Sequence, residues 1–351
     1  MKIRGARLRV TVCAVLATLG TGTALRGQAP ELRATKTVPI AGMGPVALLN
    51  DVKCDANGDL YFRVMPPNNP DPLRAPVVEV SPSGKRKAVF SLASVTDNPA
   101  VQKGDIADFA VTQFGEVVLL VSTRASKGGK GKNYLVDFND DGSYGDLTKL
   151  PSDLWPLKFV MFPDSESLIS GMMMGQGGEA GRASLAVFDA QGRFAKEVEV
   201  ASFKKLSWSG GSFDGAATAI KPLSLGLAVL GDDGDAYLLP RTAKPSVMVI
   251  APSGSVVRTI SLDVPGPGFK AGALRVAGGM LAVKFYRHGP GKGSPDVNVY
   301  QVYDSSSGKL LAAYGTPPEF GTALGCFSPP DSFSFLSQRA GQEVLVHASP
   351  H

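Results

Sequence analysis

An all-β ring of repeated four-stranded sheets is the fold class that this sequence predicts, and three observations predict it. First, the chain of 351 residues holds Gly 41 and Pro 26 with only 19% charged residues, a composition of short strands and tight turns. Second, a turn signal between two apolar, β-rich runs recurs eleven times along the chain. Third, no segment sustains an apolar pattern of period 3.6, so no layer of long helices is expected. The 44% hydrophobic content excludes a disordered chain, and three cysteines exclude a disulfide-stapled miniprotein.

The N-terminus comes first. Lys2, Arg4, Arg7, Arg9 and Arg26 precede any acid, and Val10–Gly20 forms a short apolar run followed by small residues up to Ala24. This is the pattern of a secretory signal over residues 1–29, cleaved near 24–29. The run is too short and too rich in Thr and Gly for a membrane span, and Cys13 sits inside it rather than after it. These five basic residues account for the whole formal charge of +5, so residues 27–351 are near neutral and the alkaline pI is no argument for nucleic acid. The expectation is a single domain over 30–351, periplasmic or extracellular, with no membrane contact after cleavage.

Six inner turns are read at Asp55–Gly58, Thr112–Gly115, Pro163–Glu166, Asp232–Gly234, Ala277–Gly279 and Pro329–Asp331. Five outer turns follow at Ser81–Gly84, Asn139–Gly142, Asp189–Gly192, Ala251–Gly254 and Ser305–Gly308. Their glycines supply the positive φ that hairpins require. Each pair of turns makes one four-stranded antiparallel sheet, and repeated sheets without helices make a β-propeller of six blades. Seven is the competing count, because Ser202–Ala219 is long. The sixth repeat is one strand short, and Leu32–Ala41 has no partner of its own. That segment is expected to join Glu343–Ser349 as the outer strand of the last blade, which closes the ring and buries two open edges.

The run Asn50-Asp-Val-Lys-Cys-Asp-Ala-Asn-Gly-Asp-Leu-Tyr-Phe62 resembles the first strand pair of an NHL-repeat or gluconolactonase-like propeller blade, with weaker copies in blades two to five. The resemblance covers nearly all of the mature chain as architecture. It implies an extracytoplasmic six-bladed fold that hosts hydrolases, lyases, binders and scaffolds alike. The gluconolactonase-like enzymes hold a divalent metal in the channel, and Asn50 and Asp51 fit part of that pattern. This chain reads Gly42-Met43-Gly44-Pro45 where those enzymes carry a Glu, and a thioether does not replace a carboxylate for a hard cation.

Counting back seven positions from the first three inner turns gives Asp51, Asp108 and Lys158 on neighbouring inner strands, so these three and Asn50 are expected at the channel mouth. The preferred reading is an ion-paired ring that fills the channel; a ligand site is the alternative. Asp137-x-Asn139-x-Asp141-Gly142 has the alternate-oxygen spacing of a calcium loop, with Thr148 where a bidentate acid is wanted and Asp146 as the substitute. The stretch aligns with plain hairpins elsewhere, so a bare turn is preferred, with calcium as the alternative and no other cofactor expected. His288, His347 and His351 stand near no Ser or Cys in a recognisable arrangement, and no Gly-x-Ser-x-Gly occurs. Met172–Met174 reads as strand packing. Cys54 and Cys326 fall on neighbouring inner strands across the seam, and the spacing of such strands favours two buried thiols over a disulfide.

Loops joining second and third strands share one face and are basic. They hold Arg63, Arg74, Arg124, Lys127, Lys130, Lys132, Arg182, Arg241, Lys244, Arg287 and Lys292 against Asp71, Glu179 and Asp296. A near-neutral body with one basic face attracts anions. Nucleic acid is not expected outside the cytoplasm, and stacking aromatics are scarce in these loops. The expected function is a non-enzymatic binding or scaffold module that meets an acidic glycan or a protein partner through Arg124, Lys127, Lys130, Lys132, Arg287 and Lys292. The alternative is a metal-dependent hydrolase, lactonase or lyase at the channel mouth around Asp51 and Asp108.

Overall fold

Strands whose side chains are apolar on both faces must be covered on both sides, and this requirement decides how the sheets pack. In Val117–Thr123, Val117, Leu119 and Val121 point one way, and Val118 and Leu120 the other; all five are buried. The computed structural model describes residues 29–41, 48–65, 71–112, 114–123, 131–174, 181–200, 207–208, 227–240, 242, 244–291, 294–321 and 323–350. Within these residues the chain forms six antiparallel sheets.

Blade 1 runs Leu48–Cys54, Leu60–Val64, Val77–Val80 and Arg86–Phe90 from the axis outward. Blade 2 runs Asp105–Val111, Val117–Thr123, Lys132–Phe138 and Tyr144–Leu150. Blades 3, 4 and 5 begin at the inner strands Leu154–Met161, Leu227–Leu230 and Lys270–Ala277. Blade 6 begins at Ala323–Ser328 and ends with Arg33–Pro39 as its outermost strand. The inner strands touch one another in sequence and the last touches the first, so the ring is closed. One apolar core lies between each pair of neighbouring blades. That between blades 1 and 2 centres on Phe90 and Phe109, and that between blades 5 and 6 on Tyr300 and Phe335. Six blades is thus the count; most of Ser202–Ala219 lies outside the described residues.

All eleven turns fall between strands as expected. Gly84 and Gly142 are required twice over: their φ angles are +79° and +83°, and a Cβ would come 2.3 Å from Pro39 O and 2.5 Å from Val89 O. Each thus lets an outer turn rest on the outer strand of the preceding blade. The Pro163–Glu166 turn has no glycine, and Ser165 takes the left-handed conformation there, with φ 66°. Among the described residues helical structure is confined to short connections such as Pro99–Gln102, capped by the Asn98 side chain.

The N-terminal strand closes the ring as expected. Arg33 pairs with Ser349 and Pro39 with Val344, one bulge intervening near Thr35. Most of the strand is exposed, but Leu32, Val38 and Ile40 are buried, Leu32 against blade 5 and the other two against blade 1. The cysteine expectation is corrected: Cys54 and Cys326 form a disulfide, their Cα atoms 5.4 Å apart. Inner strands are closest at the axis, and the strand carrying Cys326 is bulged between Leu324 and Phe327, which carries this residue toward blade 1. The seam is therefore tied at its innermost strands and at its outermost.

A disulfide spanning 272 residues restricts the unfolded chain strongly. Replacing Cys54 and Cys326 together by serine is expected to lower the melting temperature by roughly 5–10 °C, the effect of about 2–4 kcal/mol. Calorimetry checks this, with dithiothreitol lowering the wild type equally and leaving the variant unchanged.

Candidate functional site

Inner strands bring their side chains to the axis, and two polar assemblies fill it. Asp108, 1% exposed, receives Lys158 Nζ at 3.3 Å and Lys53 Nζ at 3.7 Å on Oδ1, while its Oδ2 accepts the Phe159 amide at 3.1 Å. Lys53 Nζ also stands 5.1 Å from the centroid of the buried Phe109 ring, a cation–π arrangement. Asp108 and Lys158 are thus brought together as their spacing implied, and the assembly joins blades 1, 2 and 3. The residue that completes it from blade 1 is Lys53, which sequence reasoning missed. Asn50 and Asp51 lie on the inner strand Leu48–Cys54, their side chains outside the described residues.

The second assembly is Arg275 of blade 5. Its Nε donates to Gly325 O at 2.6 Å and its Nη1 to Leu274 O at 2.6 Å. Its Nη2 donates to Val52 O at 2.5 Å and Leu324 O at 2.6 Å. A guanidinium presents five N–H groups in a rigid fork, which suits it to bridge carbonyls from several strands. Here it bridges the inner strands of blades 5, 6 and 1. At the turn end of the axis, Lys53 and Arg275 border an open pocket of about 80 Å³, room for roughly two or three water molecules.

The larger opening lies on the turn face, between blades 2 and 3. It is a cleft of about 480 Å³ with an apolar floor that includes Leu135, Met161, Phe162 and Leu230, and with Glu116, Asp137 and Asp146 as its charged groups. Phe114 stands beside it, 69% exposed. Burial first, then the charges of Asp146 and Glu116, together raise the Asp137 carboxyl to about 6. Of the proposed calcium ligands, Asp137, Asn139 and the substitute Asp146 line this cleft, and Asp141 does not. Asp141 accepts the Ser143 amide at 2.8 Å within its own turn, and the Asn139 amide group donates to Ser143 Oγ at 2.9 Å. Among the described residues no group of three His, Cys, Asp or Glu side chains is arranged to hold a metal ion. Glu116 was not singled out by its sequence; the signal was its place in the inner turn, equivalent to Asp59.

On the opposite, loop face, Lys132, Lys244 and Arg287 are exposed, and the Arg287 guanidinium lies 4.9 Å from the Phe269 ring centroid. Other loop cations are engaged internally. Arg63 is buried and donates to Pro72 O at 2.6 Å and Ile106 O at 3.2 Å. Arg74 lies 3.6 Å from both Asp71 and Asp105, and Arg182 pairs with Glu197. Arg124, Lys127, Lys130, Arg241 and Lys292 lie outside the described residues.

No protein-family model matches the chain, and no curated protein matches it. Among solved structures the chain is similar to a protein of unknown function from Bacteroides caccae, with 13% identity and TM-score 0.44 over 77% of this chain and 82% of that one. It is also similar to the Dos1 propeller, with 12% identity and TM-score 0.44 over 87% and 78% of the two chains. A third is the β-propeller domain of the Trilobed protease from Pyrococcus furiosus, with 10% identity and TM-score 0.41 over 87% and 82%. Likenesses of this level carry no functional argument.

Because the fold raises the Asp137 carboxyl, the folded chain keeps a proton that the unfolded chain releases above pH about 4. Its contribution to stability is complete below that pH, falls as pH rises toward about 6, and is absent above. Asp137→Asn is expected to remove this dependence and to stabilise the protein at pH 7 by at most roughly 3 kcal/mol, read by urea denaturation across pH 4–8.

Proposed function

We propose that the chain is an exported, non-enzymatic binding module that meets its partner on the faces of the ring rather than in its channel. One observation carries this reading. Among the described residues, Asp108, Lys53, Lys158 and Arg275 stand at the axis bonded to one another or to backbone, and the pocket that Lys53 and Arg275 line there is about 80 Å³. Sites for drug-sized ligands occupy about 300–1,000 Å³. Of the alternative hydrolase site around Asp51 and Asp108, the Asp108 carboxylate is held by Lys158 and the Phe159 amide, the contacts of a structural ion pair.

The partner is an acidic glycan or an acidic protein surface held by the loop face, where Lys132 and Arg287 are exposed and where Arg124, Lys127, Lys130 and Lys292 belong in sequence. The Cys54–Cys326 disulfide supports export, since such bonds persist in oxidising compartments. The Asn50–Phe62 pattern supports kinship with NHL-repeat and gluconolactonase-like propellers at the level of the blade.

Retention on a sulfated-polysaccharide column tests the reading. The wild type is expected to bind at low ionic strength and to elute as salt screens the contact, and Lys127→Gln/Lys130→Gln/Lys132→Gln to elute at distinctly lower salt. Retention that ignores both salt and the triple substitution would contradict it.

A further inference from the structure

Internal repetition makes blade 1 a template for blade 2. In blade 1 Leu60 pairs with Val80 and Tyr61 with Glu79; in blade 2 Val117 pairs with Phe138 and Val118 with Asp137. Asp59 therefore corresponds to Glu116, and Glu79 to Asp137. On the outer strands, Val78 pairs with Val89 and Val80 with Arg86, while Val136 pairs with Leu147 and Phe138 with Tyr144. Lys87 thus corresponds to Gly145, and Ala88 to Asp146.

In blade 1 these positions form a closed ion cluster. Lys87 Nζ lies 2.7 Å from Asp59 Oδ2 and also pairs with Glu79 Oε1; both carboxylates are buried. Blade 2 keeps both carboxylates, Asp137 half-buried and Glu116 exposed with its Oε2 accepting the Thr112 hydroxyl at 3.2 Å, replaces the lysine by a glycine and adds a third, exposed carboxylate at Asp146. Where blade 1 has an ammonium, blade 2 has open space, the cleft of about 480 Å³. Among the described residues the facing strand and turn of blade 3 supply no cation in its place: the charged groups lining the cleft are Glu116, Asp137 and Asp146.

We propose that this cleft binds a ligand bearing a primary ammonium group, which sits between Glu116 and Asp137 as the Lys87 ammonium sits between Asp59 and Glu79. The hydrocarbon part of the ligand rests on Leu135, Met161 and Phe162. A primary ammonium is preferred to a metal ion on two grounds. The template holds an ammonium with the same two carboxylate positions, and the apolar floor suits a hydrocarbon chain rather than a hydrated ion. The site is on the face opposite the basic loops, so it goes beyond the loop-face reading and stands or falls separately from it.

Calorimetric titration of the oxidised protein with n-pentylamine tests this, with 1-pentanol and calcium chloride as comparison probes. Pentylamine is expected to bind saturably in the millimolar range or tighter, and pentanol at least roughly tenfold more weakly, the loss of one charge-assisted contact. Glu116→Gln/Asp137→Asn is expected to weaken pentylamine by roughly tenfold or more. Gly145→Lys supplies the cation from the chain itself and is expected to abolish amine binding. The backbone of Gly145 is outside the left-handed region, and a Cβ there meets Asp137 O at 3.2 Å, a contact that a small shift relieves. Lys132→Gln is expected to leave amine binding unchanged. Equal binding of amine and alcohol, binding of calcium but not amine, or undiminished amine binding by the double carboxylate variant would overturn the proposal.

Discussion

Six sheets that meet edge-on bring six inner strands together at one axis, and the backbone carbonyls and charges gathered there must be satisfied largely by one another. Arg275 meets much of that demand by donating to carbonyls of blades 5, 6 and 1. Asp108, with Lys53 and Lys158, meets it for blades 1, 2 and 3. Leaving a buried carbonyl unpaired costs about 1–3 kcal/mol, so a guanidinium that serves four of them is a large fraction of a domain's net stability. The same packing narrows the axis, and the proposal that binding lies on the two faces rests on this.

The seam shows how a ring made from an open chain is held. The Arg33–Pro39 strand completes blade 6 from outside, the Cys54–Cys326 bond joins blades 6 and 1 near the axis, and Arg275 reaches the same two inner strands beside that bond. The apolar core of Val38, Ile40, Phe62 and Leu345 lies between these ties. The interface formed by two distant parts of the chain is thus fastened at its inner edge, its middle and its outer edge.

Between blades the repeat varies its chemistry while keeping its backbone. At the position of Glu79 in blade 1, blade 2 has Asp137 and blade 6 has His347, each one register step from the inner end of its ladder. Glu79 is neutralised within its own blade, His347 bonds to Pro82 O of blade 1, and Asp137 faces other carboxylates. One backbone position is thus satisfied inside its blade, across to its neighbour, or left facing a cleft.

The turns and the closing strand were legible because their signals are local: a glycine at positive φ, alternating apolar residues, and an unpaired strand at each end of the repeat. The Asp108–Lys158 pair was legible because equal offsets from equivalent turns give equal positions at the axis. Lys53 was not, since it stands two positions nearer its turn than the offset of Asp108 and Lys158, where blades 2 and 3 carry the apolar Ala110 and Val160. The disulfide was missed for a different reason: the bulge at Gly325–Cys326 alters the very distance on which the judgement rested. Half of the cleft was visible as a calcium-like spacing, but its meaning lay in comparison between blades, where Lys87 gives way to Gly145. Burial of Arg63 could not be inferred from loop composition, because it depends on carbonyls of the next blade.

The account rests on the axis being a closed, self-satisfied polar core, and Arg275→Met addresses it most directly. Methionine keeps much of the side-chain volume and removes every donor. Calorimetry is expected to show a fall in melting temperature of roughly 10 °C or more, as carbonyls in three blades lose their partners. A variant as stable as the wild type would mean that the axis is not what holds the ring closed.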